Sequence, residues 1–156
     1  MDARSLDIRQ ADRHDLPALT DLYQHLAEGD EKPHLDLAQD VFERFQAYAG
    51  SMIIIGQAGT ILATSCTLVV IPNLTHGGQS YGLIENVVTH RDFRNRGFGK
   101  RVLLYATDAA WKAGCYKVML MTGSKKRKTL DFYSGAGFEQ SKTGFQMRRV
   151  AARTDT

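Results

Sequence analysis

Asn86-Val87-Val88-Thr89-His90-Arg91-Asp92-Phe93-Arg94-Asn95-Arg96-Gly97-Phe98-Gly99-Lys100 is the stretch from which the fold of this chain is read. A β-branched run feeds a loop whose two glycines are two residues apart, and a helical period starts there. Phe98, Val102, Tyr105/Ala106, Ala109 and Ala113 trace one apolar side of that helix, which Gly114 ends. The first N–H groups of a helix lack intrahelical acceptors and sit at its positive dipole end, so a glycine-rich helix start is an anion site. Gly97 and Gly99 let a diphosphate approach the main chain without a Cβ in the way. Arg94, Arg96, Lys100 and Arg101 surround it with positive charge. A bare Gly-x-Gly is also what a loop with a capping glycine shows. The stretch is not a P-loop, because Gly-Lys-Ser/Thr is absent, and it lacks the third glycine and following acid of a dinucleotide fingerprint.

Outward from this segment the periods alternate. Leu6-Asp7-Ile8-Arg9 reads as a short strand. Asp12 is the expected N-cap of a helix to about Ala27, with the stripe Leu16, Leu19, Leu22, Tyr23 and Leu26. Asp36 is the expected cap of a second helix to Ala49, with Val41, Phe42, Phe45 and Tyr48 on its apolar side. Met52–Gly56 and Thr60–Ile71 read as a hairpin around Gln57-Ala58-Gly59, and Tyr81–Thr89 as a third strand. Beyond the glycine-started helix, Lys117–Thr122 is a strand, Thr129–Gly135 a short helix and Gly144–Arg149 a last strand. The order β-α-α-β-β-β-α-β-α-β predicts an α/β class with a mixed sheet, as one domain over residues 1–156 with its core at about 5–149.

Composition bounds the function. The 156 residues carry a net charge of +3, close to neutral. Arg91–Arg101 and Lys125–Lys128 each carry +4, which leaves −5 on the rest. Two concentrated positive sites on an acidic body point to a local anionic partner, not to general polyanion binding. No aromatic residue interleaves Lys125–Lys128 and no nucleic-acid motif is present, so no nucleic-acid partner is expected. Cys66 and Cys115 form neither a disulfide framework nor a zinc pattern, and no metal is expected. Met1-Asp2-Ala3-Arg4 starts no signal-peptide core, and runs such as Met52–Ile55 and Leu68–Ile71 are far short of a membrane span. A cytoplasmic protein without a membrane partner is expected.

Arg94-Asn95-Arg96-Gly97-Phe98-Gly99 meets the signature Arg/Gln-x-x-Gly-x-Gly/Ala. It follows a Val-Val strand and precedes a strand, a short helix and Phe132-Tyr133-x-x-Ala136-Gly137-Phe138. In this the chain resembles the GNAT superfamily of acetyl-CoA-dependent N-acyltransferases, over about residues 5–149. Ile84-Glu85-Asn86-Val87-Val88 and Gly114-Cys115-Tyr116-Lys117 look like glucosamine 6-phosphate N-acetyltransferases, and the Glu85 region also resembles aminoalkylphosphonate N-acetyltransferases.

The resemblance implies a single-domain GNAT fold whose mixed sheet is splayed between two central parallel strands, Leu83–His90 and Val118–Thr122. Splaying leaves backbone groups without partners, a cost that a bound pantetheine arm relieves. By the resemblance that arm lies along Val87, Val88 and Thr89, and the coenzyme diphosphate on the N–H groups of Arg96, Gly97, Phe98, Gly99 and Lys100. The N–H near Val88 would polarise the acetyl carbonyl. Transfer to an amine needs a neutral nucleophile, so a base or an ordered water path is required. Glu85 lies where related enzymes place an acid facing the acceptor; a strand-end salt bridge is the structural alternative for it. Tyr133 matches the tyrosine that protonates the leaving thiolate, with a core tyrosine beside Phe132 as the alternative. Many relatives carry Asn where this chain has Thr129, so Thr129 is the candidate coenzyme contact with a shorter reach. Lys125–Lys128 is either a second phosphate contact or a solvated loop.

Acceptor specificity is expected from the two early helices and the Ile71–Ser80 loop, with Tyr23, His25, Glu28, His34 and Asn73 as polar candidates. The reaction implied is direct transfer of acetyl from acetyl-CoA to a primary amine of a small molecule. Acetylation of a protein or peptide amine and a noncatalytic acyl-CoA-binding module are the alternatives. Family members often dimerise, so the resemblance also admits a homodimer.

Overall fold

The computed structural model of the chain describes residues 5–151. Met1–Arg4, read above for a leader, and residues 152–156 of the polar tail lie outside the described residues. The chain forms two compact units, Met1–Thr122 and Gly123–Thr156.

The first unit is built on a five-stranded sheet in the order β1-β2-β3-β4-β5. The strands are β1 (Asp7–Gln10), β2 (Met52–Ala58), β3 (Ile61–Ile71), β4 (Tyr81–Thr89) and β5 (Val118–Leu120). The first four are antiparallel neighbours, and β4 and β5 are parallel, so the sheet is mixed as expected. Ala58 pairs with Ile61, which leaves Gly59-Thr60 as a two-residue turn. Gly59 has φ of 61°, the left-handed geometry that matches strand twist in tight hairpins.

Helices cover both faces. On one, α1 (Leu16–Leu22) and α2 (Leu35–Gln46) bury Leu16, Leu19, Ala38 and Phe42 against Ile55. On the other, α3 (Phe98–Lys112) buries Phe98, Val102, Leu103, Ala106 and Ala110. Cys66 of β3 meets this helix, its Sγ donating to the Val102 carbonyl at 3.6 Å. Period-2 side chains on the strands and 3.6-period stripes on the helices are what allow both faces to close.

Several boundaries differ from the sequence reading. Asp12 caps a 3-10 turn at Arg13–Asp15, not a long helix. Its carboxylate accepts from the His14 N–H at 2.7 Å, while Asp15 accepts from the Asp12 N–H at 2.8 Å. Helix α1 ends at Leu22 and tightens into a second 3-10 turn, Tyr23–His25. The N-cap of α2 is His34, whose backbone is extended (φ −58°, ψ 152°), and Asp36 sits in the first turn of the helix.

The second unit contains α4 (Arg127–Gly135). The expected strand at Gly144–Arg149 is not formed: no described residue pairs with it, and Phe145 and Met147 are 92% and 100% exposed. Alternation supplies a strand's faces but not its hydrogen-bond partner, and without one an extended segment is no strand. Among the described residues β5 therefore ends the sheet, whereas the sequence reading placed both parallel strands centrally.

Candidate functional site

The site residues of the first unit gather at the carboxyl end of β4. The β4–β5 ladder runs Gly82↔Val118, Leu83↔Met119, Ile84↔Leu120 and then stops. From Glu85 to Thr89 the backbone of β4 has no β5 partner. On its other side, Thr67↔Glu85 and Ser65↔Val88 leave one residue of β3 facing two of β4, a bulge at Asn86-Val87. Asn86 takes φ of 52°, the left-handed region that asparagine tolerates better than most residues. Bulge and missing partner together give this half of β4 main-chain groups that the sheet does not satisfy. A ligand with its own amide groups would satisfy them.

Val88 is buried, and its carbonyl accepts from the Thr64 hydroxyl at 2.9 Å. Thr89 shares a 3.0 Å hydrogen bond with the same hydroxyl, and Val87 is half-buried. The strand then enters a 3-10 turn at Arg91–Phe93, capped by His90, whose Nδ1 accepts from the Asp92 N–H at 3.2 Å.

Gly97 is the N-cap of α3 with φ of 77°, and no side chain caps this helix end. The N–H of Arg101 reaches the Gly97 carbonyl at 3.1 Å, the first turn of the ladder. The preceding N–H groups of Phe98, Gly99 and Lys100 therefore have no intrahelical acceptor. A Cβ on Gly97 would meet nothing within 4 Å, so the space beside Gly97 is open. This fits a coenzyme diphosphate: a row of uncapped N–H groups, the positive end of a 15-residue helix, and room for an anion. Phe98 contributes only its backbone there, for its ring is buried against Leu6 and Ala63 and stacks on Phe93 at 6.1 Å.

The basic residues divide their work. Arg94 Nε donates to the Thr89 carbonyl and Nη2 to the His25 carbonyl, each at 3.2 Å. Arg96 Nη2 donates to the Asp92 carbonyl at 3.1 Å, and its guanidinium lies 5.0 Å from the centre of the Phe93 ring. Both arginines thus brace the loop with their hydrogen bonds. Arg101 Nη2 donates to the Leu6 carbonyl at 3.0 Å. Lys100 is exposed at the helix start and forms no ion pair among the described residues.

Glu85 is exposed and also forms no ion pair among the described residues, so the strand-end salt bridge considered for it has no partner there. Its direct pairing with Thr67 puts it on the sheet face that carries α1, since opposed residues of antiparallel strands share a face. Tyr23 comes to that face from the turn after α1. Burial pushes its phenol up from the ordinary value, and the facing Thr67 and Ser65 hydroxyls partly offset this. Tyr23 is therefore mainly a core residue. Asn73 ties its own loop together, donating to the carbonyls of Thr75 and Gln79. His34 occupies the N-cap position of α2 without a side-chain capping bond, Glu28 is exposed, and His76 stacks on Tyr116 with ring centres 3.9 Å apart. Burial pushes the Cys66 thiol up to about 12, so it is no nucleophile at neutral pH.

Thr129 and Tyr133 lie in the second unit, four residues apart on α4 and hence on one side of it. Tyr133 packs edge-on against Phe132, ring centres 5.0 Å apart. Thr129 accepts from the Ser124 hydroxyl at 3.1 Å. In the basic run, Arg127 pairs with Asp131 at 2.9 Å one turn along the helix, and Lys126 is the N-cap position. No group of His, Cys, Asp and Glu among the described residues is arranged to hold a metal.

Residues 19–138 match the acetyltransferase (GNAT) family, and the chain belongs to it. A glucosamine 6-phosphate N-acetyltransferase of Trypanosoma brucei brucei is 30% identical over 137 residues, covering 88% of this chain and 91% of that one. A solved structure described as a putative acetyltransferase from Agrobacterium tumefaciens str. C58 is 40% identical, with a TM-score of 0.86, over 92% of this chain and 99% of that chain. The aminoglycoside N-acetyltransferase AAC(6')-Iy, solved in complex with CoA, shares the fold at 18% identity and a TM-score of 0.76, over 94% and 96% of the two chains. The protein is thus an acetyltransferase, of a family that uses acetyl-CoA. No helix among the described residues is long and apolar enough to cross a membrane.

Proposed function

We propose that this acetyltransferase moves an acetyl group from acetyl-CoA to the primary amine of a small molecule by direct attack in a ternary complex. The half of β4 that has no β5 partner, ending at the uncapped start of α3, is the observation that carries this reading. Bound there, the coenzyme supplies an acyl group activated as a thioester. The main chain of Val87, Val88 and Thr89 pairs with its amide-bearing arm, and the N–H groups from Arg96 to Lys100 hold its diphosphate. A main-chain N–H near Val88 polarises the acyl carbonyl. Glu85, without a competing ion pair, takes the proton that the attacking amine loses. Tyr133 donates its phenolic proton to the departing sulfur, and Thr129 contacts the coenzyme. The chemistry suits each role: a carboxylate accepts protons at neutral pH, while a phenol is still protonated there.

The amino sugar phosphate named for the trypanosomal relative is the first acceptor to assay, since that relative aligns along 91% of its length. We place the chain in the cytoplasm on its two free thiols and propose that it acts as a homodimer. Saturating acetyl-CoA should raise the melting temperature. Thiol release should follow when glucosamine 6-phosphate, other amino sugars, polyamines, amino acids or aminoalkylphosphonates are added. No thermal shift refutes the coenzyme reading; a shift with release only on peptide amines refutes the small-molecule acceptor.

A further inference from the structure

The turn Tyr23–His25 is tied to the loop that precedes the glycine motif, far along the sequence. His25 Nδ1 accepts from both the N–H and the Nε of Arg91, each at 3.4 Å. The His25 carbonyl accepts from Arg94 Nη2 at 3.2 Å, and Arg94 Nε holds the Thr89 carbonyl. The His25 ring also packs on His90, ring centres 4.0 Å apart. A single residue of this turn, His25, thus contacts His90, Arg91 and Arg94 together.

That segment needs an outside hold. Asn95 and Gly97 both take positive φ, at 61° and 77°, and no residue of the turn Arg91–Phe93 is buried. Phe93 alone ties this turn to the core, half-buried against Leu6, Ala63 and Phe98, so a hold on its exposed neighbours narrows the shapes the loop samples. Each shape lost on binding is a cost to affinity, so a preformed loop binds more tightly.

We propose that His25 is a positioning residue for the coenzyme-binding loop: its unprotonated Nδ1 and its carbonyl hold Arg91 and Arg94 so that the N–H groups from Arg96 to Lys100 are presented together. This rests on the coenzyme reading given above. An Nδ1 that accepts two N–H donors cannot also carry a proton. His90, Arg91 and Arg94 face the ring with positive or ionisable groups, and Asp92 alone opposes them. Burial first, and then these neighbours, hold the imidazole below its ordinary range. The clip is therefore closed at neutral and alkaline pH and opens as pH falls below the usual histidine range. Protonation turns two acceptances into repulsion.

Titration of acetyl-CoA into the wild type, H25A and H25N, at about pH 8 and about pH 5.5, tests this. The Asn Oδ1 takes the place of Nδ1 as an acceptor and cannot be protonated. At the higher pH, H25A should bind about tenfold more weakly, and H25N should recover most of that loss. Acidification should weaken the wild type several-fold more than H25N. Melting without ligand checks that each variant is folded. H25A binding within twofold of wild type, H25N as weak as H25A, or equal pH dependence in wild type and H25N overturns the inference. A wild type that binds no acetyl-CoA at the higher pH overturns the coenzyme reading itself.

Discussion

Replacing Gly97 by alanine separates a backbone cost from a ligand cost. Gly97 starts α3 at φ of 77°, with nothing within 4 Å of where a Cβ would stand. No protein atom is struck, so the loss of stability is the left-handed dihedral alone, about 1–2 kcal/mol. For a chain of this size that lowers Tm by about 2–8 °C. The same methyl is added at the residue just before the N–H groups of Phe98, Gly99 and Lys100, where the coenzyme diphosphate is proposed to lie. Losing one charge-assisted hydrogen bond there, about 1.5–3 kcal/mol, weakens acetyl-CoA about 10–100-fold. Gly114 supplies the control, with φ of 81° and equally open space just past the other end of the same helix. Gly114→Ala should match the fall in Tm and leave coenzyme affinity within about threefold of wild type. Calorimetric titration with acetyl-CoA, beside melting curves of the free proteins, reads both quantities. Equal affinities for Gly97→Ala and wild type would refute a diphosphate at this helix start. Equal losses of affinity in both variants would show that helix stability, not the open space, governs binding.

Glu85→Gln should lower kcat/KM about 10²–10⁴-fold and remove the acid limb of the pH–rate profile, while an intact limb would assign the base elsewhere. Tyr133→Phe should lower kcat about 10²-fold with far less effect on acetyl-CoA affinity; unchanged turnover where chemistry limits the rate removes Tyr133 from the reaction. Asp15→Asn should cost about 1–2 kcal/mol in urea unfolding near neutral pH. It breaks a two-pronged pair with Arg9, 2.7 Å in each arm, and the capping bond to the Asp12 N–H, with Arg9 partly exposed. The Arg9 guanidinium, with that bond, holds the Asp15 carboxyl below the usual range. Its stabilisation is therefore present above the unfolded pKa and lost as pH falls through the lowered folded value. The gap between variant and wild type should close below about pH 4, and a gap that persists there refutes the linkage.

Residues that act on near neighbours were legible in the chain. Gly97 before Phe98, Val102 and Ala106 announced both the start and a buried side of a helix, and α3 has both. The existence of the hairpin and the span of β4 were also readable, because alternation is local, but the turn falls at Gly59-Thr60 and not at Gln57-Ala58-Gly59. Arg94 was not: its position in the motif suggested charge for a ligand, whereas its hydrogen bonds go to the Thr89 and His25 carbonyls. Nothing near Arg94 in sequence marks a contact with a residue 69 positions away. Tyr23 was similarly opaque, since a helical stripe leaves open whether a tyrosine faces a pocket or the core. The bulge at Asn86-Val87 carries no residue signal beyond an asparagine able to take positive φ.

The basic glycine segment thus determined by itself that a helix start rich in glycine and positive charge follows a strand, because backbone freedom and charge belong to the residues concerned. Only the tertiary structure decided that β4 loses its parallel partner after Ile84, that His25 clips the loop, and that Gly144–Arg149 finds no strand beside it. Each of these depends on hydrogen bonds between segments distant in the chain. A donor's partner is chosen by where the whole fold brings an acceptor, and no local pattern encodes that choice.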